Sequence, residues 1–516
     1  MTTPPSVRPW IGTERLAATV AALAAGAAWI VYLRQGLVLA HYDAKAHLVV
    51  ARRVLDSLTP GWEQIGAVWL PLPHLINLVP VQLDLFYRTG ASASLVSVVC
   101  FGLTAWAAAR LVMAVTGSSA GALTSAALLV LNPNLLYLHA TPMTEPLSIA
   151  ATFLAVLWLY GWVAQTSSRE NVTPIPAKLG WILFAAAWTR YEAWLVIAAA
   201  LAAAGYALAR LGVPWRQVAV RVATLAAWPL AAVVLFLLHS RATTGAWFVA
   251  GGFYELDPYY DGLFWRSLMA VWWGTHRLSG YVVETVALAT VAVLAFRGVG
   301  RRSDAALLVA IALVAAAALP FYAFYEGHPY RVRYMVPMAA ACAVFCGVAI
   351  GLARRPTHLA IGGRPGLYGP ALALLLIAAS IGESPPWDTR APMLVEAQWD
   401  VPRSLERQRV TACLADGYRG ERIFASMASL AHYMQELSRE GLGIADFVHE
   451  GNGPLWLDGL AEGAARQAGW MLAEEQSEGG DVLTRRIRED PDFARGMTRV
   501  CEGGGVALYK RTTETQ

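Results

Sequence analysis

Residues 180–210 read GWILFAAAWTRYEAWLVIAAALAAAGYALAR, and the number of times this stretch crosses a bilayer sets the topology of the whole chain. It is charged only at Arg190, Glu192 and the closing Arg210. Other apolar stretches able to span a hydrocarbon core of about 30 Å lie near 16–33, 91–115, 120–137, 147–165, 222–240, 278–296, 304–323, 335–353 and 367–381. Arg169/Lys178, Arg210/Arg216/Arg221, Arg297/Arg301/Arg302 and Arg354/Arg355/Arg364 sit in connectors. Cytoplasmic loops collect Lys and Arg, so all four connectors belong inside. With the N-terminus inside, a single crossing over 180–209 would put Arg210, Arg216 and Arg221 outside and invert every later loop. Two short helices, 180–190 and 192–209, turning at Arg190-Tyr191-Glu192 near the outer face, restore the parity. The expectation is about eleven membrane segments, with the N-terminus in the cytoplasm and the C-terminus outside.

Composition agrees once it is divided. Of 516 residues, 57% are hydrophobic and only 15% charged, where a soluble protein carries about 25% charged residues. An ordinary cytosolic enzyme, a disordered scaffold and a secreted disulfide scaffold are excluded. Residues 1–380 hold 25 Lys/Arg and 14 Asp/Glu, whereas 381–516 hold 15 and 22. The net charge of +4 therefore averages a basic membrane domain, 1–381, and an acidic soluble domain, 382–516. The basic excess is explained by cytoplasmic loops, so no nucleic-acid partner is implied. Arg8 and Arg15 precede the first apolar segment as in a signal peptide, but no cleavage site and polar mature sequence follow. It reads as a retained helix.

This topology places the loops 34–90, 138–146, 241–277 and 324–334 outside, with the 382–516 domain. The cytoplasmic loops are short, and neither G-x-G-x-x-G nor a P-loop occurs, so no nucleotide is expected. Asp43 lies in His41-Tyr42-Asp43-Ala44-Lys45-Ala46-His47, on a short amphipathic segment along the membrane surface. Its carboxylate is either a general base for an acceptor hydroxyl or one charge of a solvated interfacial helix. Glu145, in Thr144-Glu145-Pro146, either joins Asp43 in holding a divalent cation (Mg, Mn or Ca) or dividing base and ligand roles, or complements a helix N-terminus. Arg190 and Glu192 at membrane depth face a polar cavity or pair with each other. Tyr325-Glu326-Gly327-His328-Pro329-Tyr330-Arg331-Val332-Arg333-Tyr334 is the densest polar cluster at a membrane boundary. Arg331 and Arg333 suit bidentate phosphate binding; headgroup anchoring is the alternative. The loop 241–277 interleaves Trp247, Phe248, Phe253, Tyr254, Tyr259, Tyr260, Phe264, Trp265, Trp272 and Trp273 with Glu255, Asp257 and Asp261. That pattern fits sugar stacking or a lipid cradle as well as an interfacial belt.

An acidic residue on a surface helix of the first outer loop, a Thr-Glu-Pro helix entry and Arg-Tyr-x-x-Pro before a late span resemble the GT-C membrane glycosyltransferases. The likeness is to the branch of protein O-mannosyltransferases and lipid A aminoarabinose transferases, and it spans 1–380. It implies a GT-C-like α-helical polytopic membrane protein with a C-terminal soluble α/β domain on the outer face. It also implies transfer of one hexosyl or pentosyl group, with inversion, from a polyprenyl-phosphate donor to a glycan, lipid or protein acceptor. A bacterial cytoplasmic membrane is the implied location, among membrane lipids. Asp43 would then be the base, Glu145 the second acid, and Arg331, Arg333 and Arg190 the donor-phosphate contacts. His328, Tyr330, Glu192, Tyr254 and His47 would line the substrates. In this chain Asp43 is followed by Ala44, where many members have paired acids. A lipid transporter or flippase, or a non-catalytic lipid-binding assembly subunit, are the competing readings. Broken helices paired across an internal repeat would mark the transporter, and no such repeat is evident.

In the outer domain, Pro385, Pro386 and Pro392 predict an extended linker. Residues 422–427 and 505–509 read as strands, and 428–440, 455–468 and 482–489 as helices. His449-Glu450-Gly451-Asn452-Gly453-Pro454 reads as a surface turn, and Gly503-Gly504-Gly505 as a tight turn before a last strand. Cys100, Cys342 and Cys346 lie in spans. Cys413 and Cys501 are the only outer pair, and an oxidising compartment predicts their disulfide.

Overall fold

The computed structural model describes residues 11–166, 173–249, 255–353, 368–476 and 480–512. Eight helices are long and apolar enough to cross a membrane: Gly12–Arg34, Ala91–Thr116, Glu145–Ala164, Glu192–Arg210, Trp215–Thr244, Tyr281–Gly300, Leu307–Tyr325 and Val332–Leu352. Three shorter apolar helices, Ser119–Leu131, Ala177–Ala187 and Tyr368–Glu383, complete the bundle among the described residues. The protein is a polytopic α-helical membrane protein with a small C-terminal α/β domain.

The stretch 180–210 is broken as its sequence requires. One helix ends at Ala187 and the next begins at Glu192. The turn buries Thr189 and Glu192 and leaves Arg190 partly exposed. The apolar run 120–137 is not one span: Asn132 ends the first helix and caps Pro133–Leu138, accepting from the backbone N–H groups of Asn134 and Leu135. Proline at a first helical position favours such a restart. Ser119–Leu131 packs closely on Val336–Leu352 through Gly121, Gly347 and Gly351, where a Cβ would strike the facing backbone or Thr116. Small residues at this spacing let membrane helices approach.

The C-terminal sheet has the order β2-β1-β3-β5-β4, with β1 Ile423–Ala425, β2 Phe447–Val448, β3 Trp470–Glu474, β4 Met497–Gly503 and β5 Val506–Arg511. β1 is parallel to β2 and β3, and β5 is antiparallel to β3 and β4. Gly504 and Gly505, both at positive φ, make the β4–β5 turn, a conformation glycine adopts without a Cβ penalty. Cys413 and Cys501 are joined as a disulfide.

Two expectations need correction. The proline-rich segment after 382 is not an extended linker: it turns and then forms the short helices Pro392–Ala397 and Val401–Glu406, each with a proline in its first turn. The 449–454 turn is not on the surface. His449 and Asn452 are buried, and Asn452 donates to Ser57 Oγ at 3.1 Å while Gln64 Nε2 donates to Gly451 O at 2.6 Å. The reason is that the soluble domain does not have a core of its own on this side. Ala46, Leu48, Val49, Ala51, Val81 and Tyr87 of the first loop share one apolar cluster with Val410, Met427, Leu430, Tyr433 and Phe447. Burying these side chains removes roughly 1.5–3 kcal/mol worth of exposed apolar surface apiece. The domain is thereby fixed to the loop carrying Asp43.

Candidate functional site

The helix Tyr42–Arg52 starts where His41 Nδ1 accepts the backbone N–H of Asp43 at 3.1 Å. Asp43 thus sits in the first turn, where a carboxylate also meets the positive end of the helix dipole. Far from being solvated, Asp43 is only 7% exposed. Its carboxylate pairs with the guanidinium of Arg333, which begins the Val332–Leu352 span. Burial alone would raise the Asp43 pKa. Arg333, His41 and His47 outweigh it and bring the carboxyl down to about 2. Arg333 Nη1 also lies 3.1 Å from His41 Nε2.

A second ion-paired group stands beside this one. Glu145 opens the Glu145–Ala164 helix, and its Oε1 is 3.0 Å from Arg190 Nη1. Arg190 also reaches Glu192 Oε1 at 2.9 Å and Thr144 Oγ1 at 2.9 Å. The Glu145–Arg190 contact is close but poorly aligned, so both carboxylate oxygens of Glu145 are buried without a hydrogen bond among the described residues. Arg333 feels the charge of Glu145, and His47 feels those of Asp43, Arg190 and Arg333. The two groups therefore form one electrostatic unit.

His47 lies one turn after Asp43, on the same helix face. Its Nδ1 is 3.1 Å from His74 Nε2, while its Nε2 is buried without a hydrogen-bond partner among the described residues. Burial first, and then His74, hold His47 well below the usual imidazole pKa. Burial and Arg53 bring His74 to about 3. Both rings are therefore neutral near pH 7. They line a narrow cavity of about 20 Å³ with Asn77, Pro142, Met143 and Thr144, enough for one water-sized group.

The remaining sequence candidates divide. His328 stands at the margin, its Nε2 3.1 Å from the Tyr334 hydroxyl. Tyr330 stacks with Phe324 and Tyr260. Arg331 lies over the Trp399 ring, 5.7 Å from its centroid, rather than beside Asp43. Tyr254 falls outside the described residues. The helix Phe264–Ser279 turns Trp265, Met269 and Trp273 outward and packs Ser267, Gly274 and Thr275 inward. That orientation favours a bilayer-facing belt over sugar stacking for those aromatic residues.

Sequence reasoning missed His41, His74, Tyr334 and four residues of the C-terminal segment: Glu396, Trp399, His432 and Glu436. Glu436 Oε1 accepts from Lys45 Nζ at 2.5 Å, and Trp399 and His432 both approach the Tyr42 ring at 6.2 Å. His41 had a local signal, its place before the Asp43 helix. Tyr334 had one too, as the tyrosine of the Arg-Tyr-x-x-Pro stretch; the others had none, since they arrive through tertiary contact.

Asp43 and Glu145 each face a guanidinium, and no group of three His, Cys, Asp or Glu able to hold a metal occurs among the described residues.

No protein-family model matches the chain, and no characterised protein matches it by sequence. Solved structures do. ArnT from Cupriavidus metallidurans bound to undecaprenyl phosphate aligns with TM-score 0.56 at 11% identity, covering 99% of each chain. The apo form of the same protein aligns at 0.55 and 12% identity, covering 94% of this chain and 98% of that one. The likeness runs through both the membrane and the C-terminal domains. This chain shares the fold of that protein.

Proposed function

We propose that this protein is an inverting glycosyltransferase that moves a sugar from a polyprenyl-phosphate donor to an acceptor at the extracytoplasmic membrane face. The observation that carries the reading is the buried Asp43–Arg333 pair next to Glu145–Arg190. It sits at the domain junction of a fold shared, end to end, with a protein that binds undecaprenyl phosphate.

The acceptor hydroxyl oxygen attacks the anomeric carbon from the side opposite the phosphate. The carbon–oxygen bond to phosphate breaks, its electron pair leaves on the lipid phosphate, and the hydroxyl proton passes to Asp43. Arg333, with Arg331 and Arg190, neutralises the charge growing on the leaving phosphate. Glu145 holds Arg190 in place for that task. No step passes through a metal.

The ion pair adds an order to these events. A carboxyl held at about 2 by Arg333 is a poor base at neutral pH, because general-base catalysis favours a pKa near the working pH. A donor phosphate competes for the same guanidinium. When Arg333 turns to it, Asp43 loses its main stabilising charge and its basicity rises. Donor binding therefore precedes acceptor activation.

The test is release of free polyprenyl phosphate from a panel of polyprenyl-phosphate sugars by the purified protein in nanodiscs. Wild type releases it from at least one donor, and Asp43→Asn, folded to the same extent, does not. Wild-type turnover in Asp43→Asn would sink the mechanism.

A further inference from the structure

Glu396 lies on the Pro392–Ala397 helix, in the segment that leaves the membrane domain, 64 residues beyond Val332. It nevertheless reaches the centre of the site. Its Oε2 accepts the backbone N–H of Val332 at 2.7 Å, the residue between Arg331 and Arg333. Its Oε1 is 3.7 Å from His41 Nε2 and has no hydrogen-bond partner among the described residues.

His41 explains why a carboxylate belongs there. Its Nδ1 accepts from the Asp43 backbone, so the neutral ring carries its proton on Nε2. That N–H and the Arg333 Nη1 donor meet at 3.1 Å, a repulsive approach of two donors. A negative oxygen 3.7 Å away offsets it and draws the imidazole N–H off the guanidinium. The same segment supports Arg331, whose guanidinium lies over Trp399. It is tied to the membrane domain where Met393 N–H donates to Asn134 Oδ1 at 3.0 Å.

We propose that Glu396 is a positioning residue for the donor-phosphate arginines: it fixes the backbone between Arg331 and Arg333 and turns His41 so that Arg333 is presented to the phosphate. The C-terminal segment thereby completes the donor site. This rests on the donor reading above, and the experiment separates the two.

Undecaprenyl phosphate is titrated against the full-length protein in nanodiscs for wild type, Glu396→Ala, Glu396→Gln and Arg333→Ala, with Tm measured for each. Wild type binds, and Arg333→Ala loses binding. Glu396→Ala weakens binding about tenfold, the worth of one charge-assisted hydrogen bond. Glu396→Gln, whose amide oxygen still accepts from Val332, recovers part of that loss; if Glu396→Ala fails to fold, a weakened but measurable Glu396→Gln carries the test. Absence of wild-type binding overturns the donor reading and this proposal with it. Wild-type affinity in Glu396→Ala, while Arg333→Ala binds nothing, overturns the positioning role alone. So does a lower Tm with unchanged affinity of the folded protein, which is what a purely structural residue would give.

Discussion

The Tyr42–Arg52 helix carries Asp43 and His47 on one face and Lys45, about 200° around the helix from Asp43, on another. Each face meets a buried cluster of opposite charges. On the Asp43 side, Arg333, Glu145, Arg190 and Glu192 leave Glu145 Oε1 and Oε2, His47 Nε2 and Arg333 Nε without hydrogen bonds. On the Lys45 side, Glu436 receives Lys45, Ser404 and Arg407, and Arg407 reaches Asp400 at 2.7 Å. Among the described residues, Arg407 Nε alone goes unpaired there. Buried polar groups are ordinarily satisfied, and exceptions ask for an explanation. The closed cluster holds the domains together. The open one keeps bonding capacity that no described residue takes up, which fits the substrate site proposed above.

That contrast can be broken at four points. The largest effect is on the open side: Asp43→Asn and Glu145→Gln are expected to reduce sugar transfer per folded molecule by roughly 10²-fold or more, with Asp43→Asn also lowering Tm because Arg333 loses its buried partner. Transfer at the wild-type rate by either would remove that residue from the site. Next is the disulfide behind the closed side. Cys413 and Cys501 are 88 residues apart in sequence, and a cross-link over such a loop is worth about 4–5 kcal/mol in the chain-entropy account. Cys413→Ser should lower the unfolding midpoint of the C-terminal domain strongly. Free thiols at both positions in non-reducing mass spectrometry of folded protein would reject the bond.

Third, Lys45→Met leaves Glu436 short of a partner and should cost about 3 kcal/mol. Adding Glu436→Gln should restore part of it, with turnover per folded molecule within about twofold throughout. Loss of turnover without loss of stability would show that the Lys45 cluster takes part in the chemistry. The smallest effect, counted per pH unit, is with pH. Burial, then Arg407, brings His432 to about 4, below its unfolded value of about 6.5. The unfolded chain therefore binds more protons between these values. Stability falls as pH drops from about 6.5 to 4, by up to about 1.4 kcal/mol per pH unit for this group, and no further below 4. His432→Gln should flatten that slope, and an unaltered slope would refute the assignment.

Much of the membrane domain was legible because bilayer physics leaves few choices. A run of apolar residues must be helical there, and Arg190-Tyr191-Glu192 inside such a run marks a break. Residues 120–137 misled because hydropathy does not register that Asn132 caps one helix and Pro133 starts another. In the C-terminal domain, β1 and β5 were legible as short apolar runs. β2 and β3 were hidden, since two or five buried residues in a parallel layer have no alternating pattern.

The site divides in the same way. Asp43, Glu145, Arg190 and Arg333 stood out because a charge at a membrane boundary is costly and needs a reason. Which carboxylate meets which guanidinium had no sequence signal: Asp43 and Arg333 are far apart along the chain, and only helix packing joins them. Glu396, Trp399, His432 and Glu436 were invisible for a stronger reason. In a soluble segment rich in acids, no composition argument distinguishes the one that folds back onto the membrane domain. The amino-acid sequence by itself determined the class of protein, the broken helix and the short roll of charges worth attention, because desolvation acts on each residue alone. Pairing, burial and the closure of one cluster but not the other were decided by the tertiary structure, because those depend on which distant surfaces exclude water together.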